Sequence, residues 1–351
     1  MNLKELSESL GLSQTTVSRA LNGYPEVSEK TRLRVSKAAS ANNYQPNARA
    51  MGLATGRSMT VGHVIPMVSS SDVVNPVFGE FIAGASRTYS QNGYELLLTV
   101  AEETKEEETY RNYAASGAVD GVIVHSPCRS DNRIDLLREV GLPFVVHGRV
   151  EECTQSYSWV DMNNRRAFRQ ACQLLLDMGH RRIALVNGRE VLNFAWLRLK
   201  GYEDALQAVG LALDEELISS GDMTEIYGYE TANALLDTES PPTAFVVSSY
   251  VVAIGVQRAI VHAGLVIGKD VSVVTHDDVL SFFDNQGEIP QFTATRSSVR
   301  EAGVQAAQML LNIIESPESA PQSLLLEARL VVGSSTGPAA AANDSAGQRL
   351  T

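Results

Sequence analysis

The sequence predicts a small all-α head followed by a large α/β body of two subdomains. Three observations carry that prediction. Short amphipathic helical patterns fill residues 3 to 35. Beyond residue 58, short apolar runs alternate with amphipathic stretches. The charge is also split: residues 1–60 carry 8 basic and 4 acidic side chains, a net of +4, whereas the remaining 291 carry 21 and 37, a net of −16. The whole-chain charge of −12 would by itself argue against a nucleic-acid partner. A basic head on an acidic body points the other way. At 351 residues and 44% apolar, the chain is too long for a lone binding module and too apolar to be disordered.

In the head, Leu3, Leu6 and Leu10 recur at helical spacing, and Gly11 can end that helix. Ser13 is placed to cap a second helix over Gln14–Leu21. Val17, Ala20 and Leu21 would face inward there, leaving Gln14, Thr15, Ser18 and Arg19 outward. Asn22-Gly23 stops it, and Ser28 precedes a third helical pattern over Glu29–Val35. Two short helices joined by a Gly-containing turn fit a helix-turn-helix, whose second helix presents its N-terminal part to the major groove. Gln and Arg are the side chains that pair bidentately with adenine and guanine. On spacing alone, a three-helix bundle with a solvated polar face fits as well.

In the body, strands are expected at Val61–Ile65, Tyr94–Val100, Gly121–His125, Phe144–His147, Ile183–Asn187, Ala244–Val247 and Val271–Thr275. Helical patterns lie between them, at Gly79–Gln91, Asn163–Met178, Gly201–Val209, Tyr229–Leu236 and Ala253–Ala263, and Gly93, Gly141, Gly179, Gly210 and Gly264 stand at helix ends. Short apolar strands separated by helices mean parallel sheets with both faces covered. The alternations exceed one small sheet, and the division falls near Ser158–Asp161.

Enzyme signatures are missing. No GxGxxG follows a strand, no P-loop or His-Glu-x-x-His pair occurs, and His276-Asp277-Asp278 lacks a partner cluster. No catalytic residue, cofactor or metal is expected. Cys128, Cys153 and Cys172 are odd in number and far apart, which suits free thiols. No apolar signal core and no run of 18 apolar residues occurs, so a cytoplasmic protein without a membrane partner is expected.

The segment from Leu3 to Gly23, LKELSESLGLSQTTVSRALNG, resembles the signature of the LacI/GalR family of bacterial transcriptional regulators, and Val27-Ser28 and Tyr44–Ala48 resemble its continuation. The resemblance extends over residues 2–334 and implies a periplasmic-binding-protein-like core. Its domains would be a helix-turn-helix at 1–46, a hinge helix at 47–57, a first core subdomain of 58–158 plus 289–320, and a second of 159–288 plus 321–333. Residues 334–351, rich in Ala, Ser and Gly, would form a disordered tail. DNA contacts carried over by the resemblance are Gln14, Thr15, Thr16, Ser18, Arg19, Asn22, Thr31, Asn47, Arg49 and Leu53, with Leu53 as a minor-groove wedge.

The resemblance also implies a cleft for a small effector, a sugar above all. Trp196–Tyr202 matches an Arg-x-x-Gly-aromatic motif that nominates Arg198, and the strand from Val271 nominates Asp277. Ser71, Asp72, Phe78, His147, Arg149 and Trp196 are further candidates. Ser249 and Tyr250 stand where the family usually has Asn-Asp, which puts any particular member's ligand in doubt. The implied function is a homodimeric repressor of sugar-uptake or catabolic genes, released from palindromic double-stranded operator DNA by its effector. A sugar-binding protein without a DNA role and a regulator responding to a purine or nucleoside are the alternatives.

Overall fold

The computed structural model describes residues 2–21, 24–42, 44, 56–67, 75–283, 285 and 288–339. Chain contacts divide it into two compact units, residues 1–60 with 117–120, and the remainder.

In the first unit, α1 (Leu3–Leu10), α2 (Gln14–Leu21) and α3 (Glu29–Ala41) form a three-helix bundle. Asn2 opens α1 with a capping box: its side chain accepts from the Glu5 N–H, and the Glu5 carboxylate accepts from the Asn2 N–H. Gly11 closes α1 at φ 62°, the left-handed conformation that glycine adopts without strain. Leu6, Leu10, Val17, Ala20, Val27, Val35 and Ala39 make the core. Arg34 of α3 donates to the Leu10 carbonyl (2.8 Å), tying the third helix to the end of the first. The third helix runs six residues past the end expected at Val35, because Ala38, Ala39 and Ala41 sustain it.

The second unit has two six-stranded sheets. The first contains β1 (Thr60–Met67), β2 (Glu95–Glu102), β3 (Gly121–His125), β4 (Phe144–His147), β5 (Trp159–Met162) and β11 (Ser323–Leu326), in the order β11-β5-β4-β3-β1-β2. The second contains β6 (Ile183–Asn187), β7 (Ile218–Ser220), β8 (Ala244–Val247), β9 (Ser272–Asp277), β10 (Thr293–Arg296) and β12 (Arg329–Val331), in the order β12-β10-β9-β8-β6-β7. Helices α4 (Pro76–Gln91), α5 (Glu106–Ser116), α6 (Arg133–Glu139) and α11 (Val299–Glu315) belong with the first sheet. Helices α7 (Asn164–Asp177), α8 (Asn193–Ala208), α9 (Glu225–Leu236) and α10 (Tyr250–His262) belong with the second. Every residue of β3, β6 and β9 is buried, which is why these strands read as continuous runs rather than as alternating ones.

Strand pairing moves the expected crossings. β5 pairs in parallel with β4 and β11, so the chain leaves the first sheet after Met162 rather than at 158. β10 pairs with β9, so the return comes after Arg296 rather than at 289. β11 stays with the first sheet and β12 joins the second, which puts the last crossing between Leu326 and Arg329. These strands are three or four residues long, too short to announce their partners in the sequence. The tail expectation is also corrected. Residues 334–339 pack into the second subdomain: Ser335 is fully buried, donating to the Val273 carbonyl and accepting from the Thr293 N–H, and the Ala339 N–H reaches the Met178 carbonyl. Polar composition misled here, because the segment is held by hydrogen bonds rather than by apolar side chains. Gly268, at φ +77°, lets this segment in; a Cβ there would sit 2.2 Å from the Ser334 carbonyl oxygen. Residues 340–351 lie outside the described residues.

Candidate functional site

On the head, Ser13 caps α2: its hydroxyl accepts from the Thr16 N–H (3.1 Å) and bonds the Thr16 hydroxyl (2.8 Å). Gln14, Thr15 and Arg19 are exposed on α2, and Thr16 and Ser18 are half-buried. Thr31 sits in the cap of α3, its hydroxyl 2.9 Å from that of Ser28. The helix therefore presents donors and acceptors outward from a small apolar core, the arrangement needed to read base edges and phosphates. Asn22, Asn47, Arg49 and Leu53 lie outside the described residues.

The second unit has a cleft at the carboxyl ends of its strands, where open α/β sheets bind ligands. Its inner cavity, about 130 Å³, is lined by Phe78, His147, Asp161, Asn164, Phe194, Arg198, Ser248, His276 and Asp278 among others. Arg198 is its centre. The guanidinium is buried, donates to Asn164 Oδ1 (2.7 Å) and the Ser248 carbonyl (2.6 Å), and lies 4.8 Å from the ring centres of both Phe168 and Phe194. Gly201 explains the motif spacing. A Cβ there would meet the Arg165 carbonyl at 2.1 Å, so α8 can press against α7 and bring Arg198 to Asn164. Tyr202 anchors the same turn by donating to the Ile183 carbonyl.

Two carboxylates balance this cation. Burial pushes the Arg198 pKa down to about 10, opposed by Asp278 and Asp161, so it stays charged at neutral pH. Burial would raise Asp278, but His276 (3.3 Å) and Arg198 hold it below the usual carboxylate range. Asp161 is raised, because burial outweighs its pairing with Arg149 (2.8 Å). Half-buried His147, on the cavity wall, leads to buried His125 and His63 in a chain ending at Tyr89, with nitrogen contacts of 3.4 and 3.2 Å and a final 2.9 Å bond to the Tyr89 hydroxyl. Burial pushes His147 down to about 4 and His63 to about 3, so all three imidazoles are neutral.

An outer cavity of about 180 Å³ continues the cleft. Buried Arg133 forms its floor, held by Asp131 (2.6 and 2.9 Å) and Glu106 (2.8 Å). Glu107, Asn132, Arg189 and Asp222 stand around it. The two walls are joined beside it by main-chain bonds, Asn193 N–H to the Pro127 carbonyl and Arg129 N–H to the Val191 carbonyl.

Of the expected effector residues, the structure brings Phe78, His147 and Arg198 to the inner cavity. Ser71 and Asp72 lie outside the described residues. Four expectations need correction and one is indirect. Asp277 accepts from the Val279 N–H and points away, whereas Asp278 and His276 line the cavity; side chains two apart share a strand face. Ser249 is the N-cap of α10, accepting from the Val252 N–H, and Tyr250 packs on Phe283 and Phe292 in the core, so Ser248 supplies the cavity hydroxyl instead. Trp196 lies under the Arg129 guanidinium at 4.7 Å, outside both cavities, because the inward stripe of α8 runs through Phe194 and Arg198, four residues apart. Arg149 reaches the cavity only through Asp161. Sequence reading missed Asp161, Asn164, Ser248 and Asp278, and every residue of the outer cavity except Phe78. The run Val160-Asp161-Met162-Asn163-Asn164, polar residues at a strand end, was the one local hint.

A helix-turn-helix head with an exposed polar second helix, carried with a two-sheet α/β core that contains a polar cleft, defines a transcriptional regulator with a binding-protein-like core. The chain belongs to the LacI family. Residues 2–47 match the model for bacterial regulatory proteins of the lacI family, and residues 163–336 match that for a periplasmic binding protein-like domain. It is 44% identical to the HTH-type transcriptional regulator AglR of Rhizobium meliloti (strain 1021), over 97% of this chain and 95% of that one. Among solved structures, a complex of the transcriptional regulator CelR with cellobiose superposes with TM-score 0.71 and 30% identity, covering 95% of this chain and 99% of that one. The Lac repressor bound to ONPG in the repressed state gives TM-score 0.81 and 25% identity, covering 96% and 99%. The curated relatives are regulators rather than enzymes.

Proposed function

We propose that the protein is a cytoplasmic homodimeric repressor of sugar-uptake or catabolic genes, released from a palindromic operator by a sugar bound in the cleft. One observation carries the ligand class: Arg198 is buried between Asp161 and Asp278, with Asn164 and Ser248 beside it. Charges already balanced among themselves, surrounded by donors and acceptors, suit an uncharged polyhydroxylated ligand. The cellobiose-bound relative supports the same class. On DNA, Gln14, Thr15 and Arg19 would read bases, Thr16, Ser18, Asn22 and Thr31 would approach phosphates, and Asn47, Arg49 and Leu53 would act at the dyad.

Dimerisation is supported by an apolar depression lined by Ile65, Ile82, Leu98, Val100, Phe282 and Phe283, of which Phe282 is 81% exposed. An exposed patch of this kind marks an interaction surface, and a two-fold dimer matches an inverted repeat. Effector and DNA then oppose one another through a coupling free energy that acts equally in both directions.

The test is fluorescence anisotropy with an operator selected from random-sequence DNA. Operator affinity should fall with salt, with a log–log slope of about −0.9 per neutralised phosphate, and sugar should weaken it further. Arg19→Ala should abolish discrimination between operator and scrambled DNA. A parent protein that binds both equally overturns the regulator mechanism.

A further inference from the structure

The cleft has two lobes. The inner and outer cavities share Asn75, Phe78, Ser126, Phe194 and Met223 as common walls. The lobes therefore meet at a waist, with Phe78 from the first subdomain and Phe194 from the second. The inner lobe, at about 130 Å³, falls well below the roughly 300–1,000 Å³ of ordinary small-molecule sites, and the two lobes together reach the lower end of that range.

Charge in the outer lobe restricts what can occupy it. Arg133 is committed to Asp131 and Glu106, and Arg189 to Asp222 at 3.4 Å. Glu107 adds a further carboxylate, hydrogen-bonded by the Asn132 amide. The arginines are matched and the carboxylates are in excess, so a phosphate or carboxylate group would be repelled. Carboxylate oxygens and an amide at a partly open mouth are acceptors and donors suited to hydroxyls.

We infer that the effector is an uncharged disaccharide, with one ring on Arg198, Asp161 and Asp278, and the second in the outer lobe against Asn132, Arg189 and Asp222. The linkage between the rings passes the waist, where Phe78 and Phe194 offer apolar surface to ring C–H groups. This assignment rests on the sugar reading above and extends it to a size and a charge.

The experiment is isothermal titration of the full chain with glucose, glucose 6-phosphate, and disaccharides of both anomeric linkages (cellobiose, maltose, melibiose and sucrose). At least one disaccharide should bind about tenfold or more tighter than glucose, the equivalent of one or two added hydrogen bonds. Asn132→Ala and Asp222→Ala should lower that preference toward one by weakening the disaccharide alone, with thermal unfolding as the check on folding. If glucose binds as tightly as every disaccharide, or if the variants weaken both ligands equally, the second-ring site is refuted and the sugar reading stands. Tightest binding by glucose 6-phosphate refutes the uncharged assignment. If no carbohydrate binds, the sugar reading fails and this inference fails with it.

Discussion

Arg198 is the residue on which fold and ligand response meet. Its three side-chain bonds, to Asn164 Oδ1 (2.7 Å), the Ser248 carbonyl (2.6 Å) and the Ser248 hydroxyl (3.2 Å), use the guanidinium as a fork. Arg198→Lys keeps the positive charge near Asp161 and Asp278, but an ammonium cannot span Asn164 and Ser248 at once. Losing one charge-assisted bond costs about 2 kcal/mol. Arg198→Ala also leaves buried carboxylates unbalanced, and breaking a buried charge cluster in this way costs about 3–5 kcal/mol. Arg149 on Asp161 retains part of the balance, and the His276 ring still hydrogen-bonds Asp278, which places the alanine variant near the lower end. Urea unfolding of the core should show midpoints ordered parent, Lys, Ala, with the alanine variant shifted down by about 1 M for a slope of about 3 kcal/mol/M. Effector titration of operator release should fail in both variants while the head still binds operator. An alanine variant with the parental midpoint and a normal effector titration would falsify the role given to Arg198.

Two further outcomes follow from buried groups. The neutral His63–His125–His147 chain makes stability depend on pH. The unfolded chain protonates imidazole near 6.5, whereas His147 waits until about 4 and His63 until about 3. The stabilisation is complete above pH 6.5 and is lost as pH falls through this window, by up to about 1.4 kcal/mol per pH unit for each histidine; urea midpoints between pH 7.5 and 5 should fall steeply, and less steeply for His125→Gln. An equal slope in the variant removes the chain from this role. Glu80 of α4 accepts from the Ser281 N–H (2.8 Å) and from Arg300 of α11 (2.7 and 2.8 Å), linking the first subdomain to the segment after β9. Glu80→Gln should cost about 1 kcal/mol, because Arg300 is half-exposed, and should shift the effector concentration for half-release; an unchanged titration would show that this link does not bear on the coupling.

The sequence by itself determined what depends on near neighbours. The three head helices were legible because Leu3, Leu6, Leu10, Val17 and Ala20 recur at helical spacing, and because Ser13, Ser28 and Gly11 mark helix ends. The central strands β3, β4, β6 and β8 were legible as short apolar runs, and their bounds match the expected ones residue for residue. The Arg198–Gly201–Tyr202 spacing was visible only through the resemblance to the family's motif, because the helix expected from periodicity began at Gly201, whereas α8 begins at Asn193 and includes Arg198. Tertiary structure alone decided which strand joins which sheet, because β5, β10, β11 and β12 take their identity from partners far along the chain. It also decided that Asp278 faces the cleft rather than Asp277, that Ser249 is used up as a cap, and that Ser335 is buried. The outer lobe shows the limit most clearly. Glu106, Asp131, Arg189 and Asp222 are scattered over more than a hundred residues, and only the meeting of two sheets' strand ends brings them to one cavity.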